Sequence, residues 1–123
     1  MIDNLLLRLG NTTNNALHTG YRSSGDFAFA HYGDDLDYLP GSFIYPAARV
    51  WMDTIDTGKN KTIYLNGAAV VTGTASGLLN STSSQGHIGS GFGTGSTCFQ
   101  GDIAEILVYT NAQKPTPPAS RPT

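Results

Sequence analysis

Three aspartates fall within four residues, Asp34, Asp35 and Asp37. Calcium takes roughly six to eight oxygen ligands from flexible carboxylates and loop carbonyls, so this cluster is the expected cation site and calcium the expected ion. The spacing is not the alternating one of an EF-hand loop, and a solvated acidic turn is the competing reading of the same residues. Aromatic residues bracket the cluster: Tyr32 and Tyr38 close by, then Phe43, Tyr45 and Trp51. A ring can cover the apolar face of a sugar while neighbouring polar groups take its hydroxyls, and such rings are equally ordinary core material. Tyr38, Tyr45, Asp35 and Asp37 are therefore the expected ligand-binding set, with Trp51, on a strand, expected in the core.

Catalytic constellations are missing. Glycosidases normally place two carboxylates about the scissile bond, and Glu105 is the only glutamate here, so the usual Glu pair cannot form. There is no Gly-x-Ser-x-Gly elbow, no His-Glu-x-x-His and no phosphate-binding Gly-x-x-x-x-Gly-Lys. The glycine series Gly86, Gly89, Gly91, Gly93 and Gly95 precedes no helical pattern and reads as a flat strand with turns. The chain is expected not to be an enzyme. Glu105 alternates with Ile103 and Leu107, so it is expected to be buried and hydrogen-bonded to a neighbouring loop. His18, His31 and His87 are separated singles, expected as satisfied strand residues. Cys98 is the only cysteine, which excludes an intrachain disulfide and a cysteine zinc cluster; it is expected to be small, apolar and buried.

The composition explains what scaffold must carry these groups. Only 13% of the residues are charged, against about 25% in an ordinary soluble domain. Glycine accounts for 15 of 123 residues, and serine, threonine and asparagine are abundant, a mixture that favours turns and pleats over helix. Seven basic residues scattered singly cannot line a nucleic-acid backbone, and no apolar run approaches the roughly 20 residues of a membrane helix. Met1-Ile2-Asp3-Asn4 lacks the basic start of a signal peptide. The Asn-x-Thr sequons at Asn11, Asn60 and Asn80 are what chance supplies in so Asn/Thr-rich a chain.

Strands are expected over residues 5–9, 16–22, 26–32, 49–56, 62–65, 68–72, 86–89 and 103–109. Ser23-Ser24-Gly25 is a hairpin loop, and Asn66-Gly67 is the strongest turn signal in the chain. In 26–32, Phe27, Phe29 and His31 share one face and Ala28, Ala30 and Tyr32 the other; both are largely apolar, which suits a strand covered on both sides. Residues 33–46 read as the longest irregular segment. Residues 1–112 are expected to form one domain, and the proline-rich residues 113–123 an extended tail or linker.

Two motifs, in order, carry a resemblance. Lys61-Thr62-Ile63-Tyr64-Leu65-Asn66-Gly67, followed by Phe99-Gln100-Gly101-Asp102-Ile103-Ala104-Glu105-Ile106-Leu107-Val108-Tyr109, resembles the laminin-G-like, concanavalin A-like lectin–glucanase domains. Leu17 to Arg22 and Phe27 to Leu36 look like the version found in secreted bacterial proteins. The resemblance implies an all-β, antiparallel jelly-roll β-sandwich with little or no helix. It also implies a closing strand at 103–109 that lies beside the N-terminal strand, residues 5–9. The family's Trp-x-His entry to the central strand is reduced here to Trp51 alone, and only four residues precede residue 5, where the family commonly has further strands. A minimal variant, or strands supplied by another segment or chain, is expected.

The expected function is a non-catalytic, extracellular, cell-surface or virion-surface module that binds a glycan or a protein surface. The alternative is a structural subunit or decoration protein of a filament or virion, self-associating through strand edges and the proline-rich tail.

Overall fold

Asn66-Gly67 turns the chain back on itself with φ of 50° and 86°, the pair of positive values a type I′ hairpin requires. In this computed structural model, which describes residues 2–9, 15–40, 48–80, 86–90 and 98–111, that turn joins strands β6 (Asn60–Leu65) and β7 (Ala68–Thr74). With β5 (Trp51–Ile55) they make an antiparallel three-stranded sheet in the order β5-β6-β7. The other sheet holds β1 (Ile2–Leu9), β2 (Leu17–Arg22), β3 (Phe27–His31), β4 (Asp35–Tyr38) and β8 (Gly86–Ile88), in the order β4-β3-β2-β1-β8. Its ladders are antiparallel throughout. No helix occurs among the described residues, and so none long and apolar enough to cross a membrane.

Period-two alternation decides which side chains meet between the sheets. Phe27 and Phe29 of β3 are buried against Leu17 and Ile63, with Leu36, Tyr38, Trp51, Val71 and Leu9 packed around them. Phe27 lies flat on Trp51, ring centroids 4.0 Å apart, so Trp51 packs on the core as expected of it. Polar groups add directional contacts across the same layer. Trp51 Nε1 donates to Tyr21 Oη at 2.7 Å, and Thr19 Oγ1 donates to Asp53 Oδ2 at 2.7 Å. Lys61, fully buried, reaches from β6 to donate to the carbonyls of Phe29 and Asp34, both at 2.8 Å. All-β, two packed antiparallel sheets: this much of the expected architecture is present.

Sheet β4-β3-β2-β1-β8 is covered on both faces at β3, where every residue is buried. Backbones approach closely beside it. A Cβ on Gly20 would lie 2.3 Å from the Asn4 carbonyl oxygen, so no other residue fits this point of the β1–β2 ladder.

Four expectations change. Residues 103–109 form no ladder, and Leu107, Val108 and Tyr109 are exposed. The edge of β1 that a closing strand needs is already occupied, because Leu7, Arg8 and Leu9 pair with Ile88, His87 and Gly86 of β8. Further along that edge, Gly89 N donates to the Leu6 carbonyl, and Leu5 bridges Cys98 in parallel. Glu105, carried on the unladdered segment, is exposed rather than buried, and Cys98 is exposed as well. Residues 35–38, placed in the long irregular segment by the sequence, form β4. Within β1 the register shifts between Leu5 and Leu7, a bulge that sets Leu6, Leu7 and Leu9 against the core and pairs Leu5 with Gly20. The tail from residue 113 lies outside the described residues.

Candidate functional site

The acidic cluster divides according to the pleat of β4. Leu36 and Tyr38 turn inward, opposite Phe29 and Phe27, whereas Asp35 and Asp37 sit opposite Ala30 and Ala28 on the outer face. Arg22, at the end of β2, joins the two carboxylates. Its Nη2 lies 2.8 Å from Asp35 Oδ2, and its Nε donates to Asp37 Oδ1 at 3.0 Å. Charge-assisted bonds of this kind fix a guanidinium and its carboxylates in one geometry. Arg22 engages one oxygen of each aspartate, and both carboxylates stay partly exposed.

Asp34 goes elsewhere. It lies in the β3–β4 turn, where its carboxylate accepts from the Ser76 N–H and, at 3.1 Å, from Ser76 Oγ. Those bonds, the backbone one first, hold its carboxyl below the usual carboxylate range. With one carboxylate drawn to Ser76 and two to Arg22, the three do not converge on a point. Among the described residues no group of three or more His, Cys, Asp and Glu side chains could hold a metal ion. The calcium expected from the sequence therefore has no cage in Asp34, Asp35 and Asp37. Chelator and millimolar calcium are expected to leave the melting temperature unchanged; a calcium-dependent rise of several degrees contradicts this reading of the cluster.

The expected aromatic pair is also split. Tyr38 faces the core, its ring 6.3 Å from that of Trp51, and Tyr45 lies outside the described residues. The exposed aromatic residue of the turn preceding β4 is Tyr32. It opens the turn at φ 22°, followed by Gly33 at 91°, and is 40% exposed. Its ring meets His18 edge-on at 5.8 Å. Tyr32 thus opens the turn into the edge strand that carries Asp35 and Asp37, with Arg22 fixed between the carboxylates.

A polar rung crosses the same face. Ladder register sets His87, Arg8, His18, Ala30 and Asp35 side by side on five successive strands. Arg8 and His18 are buried in it, and burial together with the Arg8 charge lowers His18 to about 4, against a smaller opposing pull from Asp35. On the inner face, burial raises Asp53 to about 7 and outweighs the bond from Thr19. His31 departs from its expected satisfied state: it is fully buried, and neither ring nitrogen has a hydrogen-bond partner among the described residues.

Arg22, His18 and Lys61 lie around the acidic cluster or its turn and were not among the site residues expected from the sequence. For Lys61 a signal existed, since it alternates with Ile63 and Leu65 on β6 and so had to point inward. Arg22 lies 13 and 15 residues from its two partners, a pairing that only the β2–β3–β4 meander creates. Compared with known families, curated proteins and solved structures, this chain matches none of them.

Proposed function

We propose that this chain is a non-catalytic recognition module that binds a glycan at the β4 edge of the five-stranded sheet, where Tyr32, Asp35 and Asp37 are exposed. One observation carries the reading: two exposed carboxylates that a single arginine holds in place stand on the edge strand entered through the turn that carries the exposed Tyr32. The ring supplies apolar contact to a sugar face, and the oxygens of Asp35 and Asp37 accept hydroxyl protons. Arg22 orders the acceptors before the ligand arrives, which removes part of the entropic cost of binding. We read the two packed sheets as the laminin-G-like, concanavalin A-like jelly roll. The Asn66-Gly67 hairpin and the Trp51 core position support that reading, with residues 103–109 outside the ladder as its main departure. A low-charge, Gly/Ser/Thr/Asn-rich composition suits an extracellular, cell-surface or virion-surface domain.

The test is a glycan array followed by titration of the strongest ligand against Tyr32→Ala. Loss of the ring contact is expected to weaken binding about tenfold, since ~1.4 kcal/mol of apolar contact corresponds to that factor. Absence of binding to any glycan, or a Tyr32→Ala protein that binds undiminished, overturns the reading. The second reading, a self-associating structural subunit of a filament or virion, is favoured by one feature: the exposed apolar side chains of Leu107, Val108 and Tyr109 on a segment with no ladder partner among the described residues. Ordered oligomers in light scattering, together with a silent array, select it.

A further inference from the structure

The turn that carries Tyr32 is fastened from the opposite sheet, and the fastening surrounds a histidine whose ring has no polar partner among the described residues. Lys61 Nζ, from β6, binds the Asp34 carbonyl and the Phe29 carbonyl while lying 4.7 Å from the centre of the Phe29 ring. Ser76 holds the Asp34 carboxylate. Asn15 N donates to the His31 carbonyl at 3.2 Å, and His31 N to the Asp34 carbonyl at 3.4 Å. The His31 ring packs edge-on against Phe29, 4.8 Å between centroids, without solvent exposure. A neutral imidazole is tolerated there as a filler; a buried, unpaired cation is not.

We propose that the β3–β4 turn is an acid-released latch, closed while His31 is uncharged beside Lys61 and opened when mild acid charges it, dismantling the edge where Tyr32, Asp35 and Asp37 are exposed. This deepens the recognition reading by giving that edge a regulation, and rests on it only for its consequence. The charged groups acting on His31 come from β6, the turn and β4, while its ladder neighbour on β2 is the apolar Leu17. Burial is the largest influence and Lys61 on β6 the next, both against the charged ring; Asp34 in the turn and Asp35 on β4 oppose them. Asp53 on β5 and Asp37 on β4 act on Lys61, and β7 carries no charged residue. The balance lowers His31 to about 4 from an ordinary 6.5. A group lowered in this way takes up protons more readily once the turn is open. Opening is therefore favoured progressively as pH falls from 6.5 towards 4, by up to about 300-fold for 2.5 pH units.

Asp53 works in the opposite sense. Raised to about 7 from 3.8, it takes up its proton in the folded protein as pH falls below neutrality, and so stabilises the domain through that window. Global melting consequently mixes opposing contributions, and the latch is read locally. Backbone amide spectra of the ligand-free, isotope-labelled chain are recorded from pH 7 to 4, together with the His31 ring carbon. Amides of residues 31–35 are expected to shift in step with the ring, while those of 68–72 stay in place, and His31→Leu is expected to abolish the turn transition. A ring titrating near 6.5 with the turn amides unmoved, or a His31→Leu protein that keeps the transition, overturns the latch. If His31→Leu does not fold, the wild-type ring titration decides alone. Because no sugar enters this experiment, a chain that opens in acid yet binds no glycan keeps the latch and loses only the recognition reading.

Discussion

Replacing Phe27 with alanine is expected to destabilise the domain by about 3–5 kcal/mol, the range for deleting a buried aromatic ring. Phe27 is almost wholly buried at the point where the two sheets touch. One face of its ring lies on Trp51 at 4.0 Å, and its edge meets Tyr21 at 5.3 Å. Trp51 in turn holds Tyr21 through its indole N–H, so the cavity left by the ring would undercut both sheets at once. Set against a net stability of roughly 5–15 kcal/mol for a small domain, this loss leaves a marginal fold. Urea denaturation measures it; a loss below about 1 kcal/mol contradicts the packing described for this layer.

Removal of residues 2–9 is expected to abolish cooperative folding altogether. β1 is an interior strand, paired to β2 along its length and to β8 at Leu7–Leu9. Its Leu6, Leu7 and Leu9 pack on the core, each worth about 1.5–3 kcal/mol when fully buried. The ladder is tight enough that Gly20 has no room for a Cβ against Asn4 and Leu5. Without β1 the edge of β2 is open and β8 has lost its ladder partner, an arrangement prone to aggregation. Far-ultraviolet circular dichroism with size exclusion reads the outcome, and a monomer that melts cooperatively contradicts the interior placement of β1.

Local chemistry was legible in the sequence because turns and alternation are local. Asn66-Gly67 forms its hairpin, Phe27 and Phe29 face inward, and both faces of β3 are buried, as their residue types require. The split of Asp35 and Asp37 from Leu36 follows from the same pleat. Residues 103–109 mark the limit. Their alternation and β-branched content favour a strand, but a ladder also needs a free edge, and β8, Gly89 and Cys98 occupy the one that β1 offers. Register is likewise invisible locally: the bulge at Leu6 moves Leu5 out of the face it would share with Leu7 and Leu9 in an unbroken strand. The candidate site shows both sides of this. Its aspartates and the nearby Tyr32 were evident from spacing, whereas Arg22 joins them only through a three-strand meander.

The recognition face is tested most directly by mapping where a glycan from the array perturbs the backbone amide spectrum of the labelled chain at neutral pH. The account predicts shifts concentrated at Arg22 and residues 32–37, with 51–55 and 68–74 unchanged. Perturbations confined to residues 103–109 or to the β5-β6-β7 sheet, with residues 32–37 silent, contradict it.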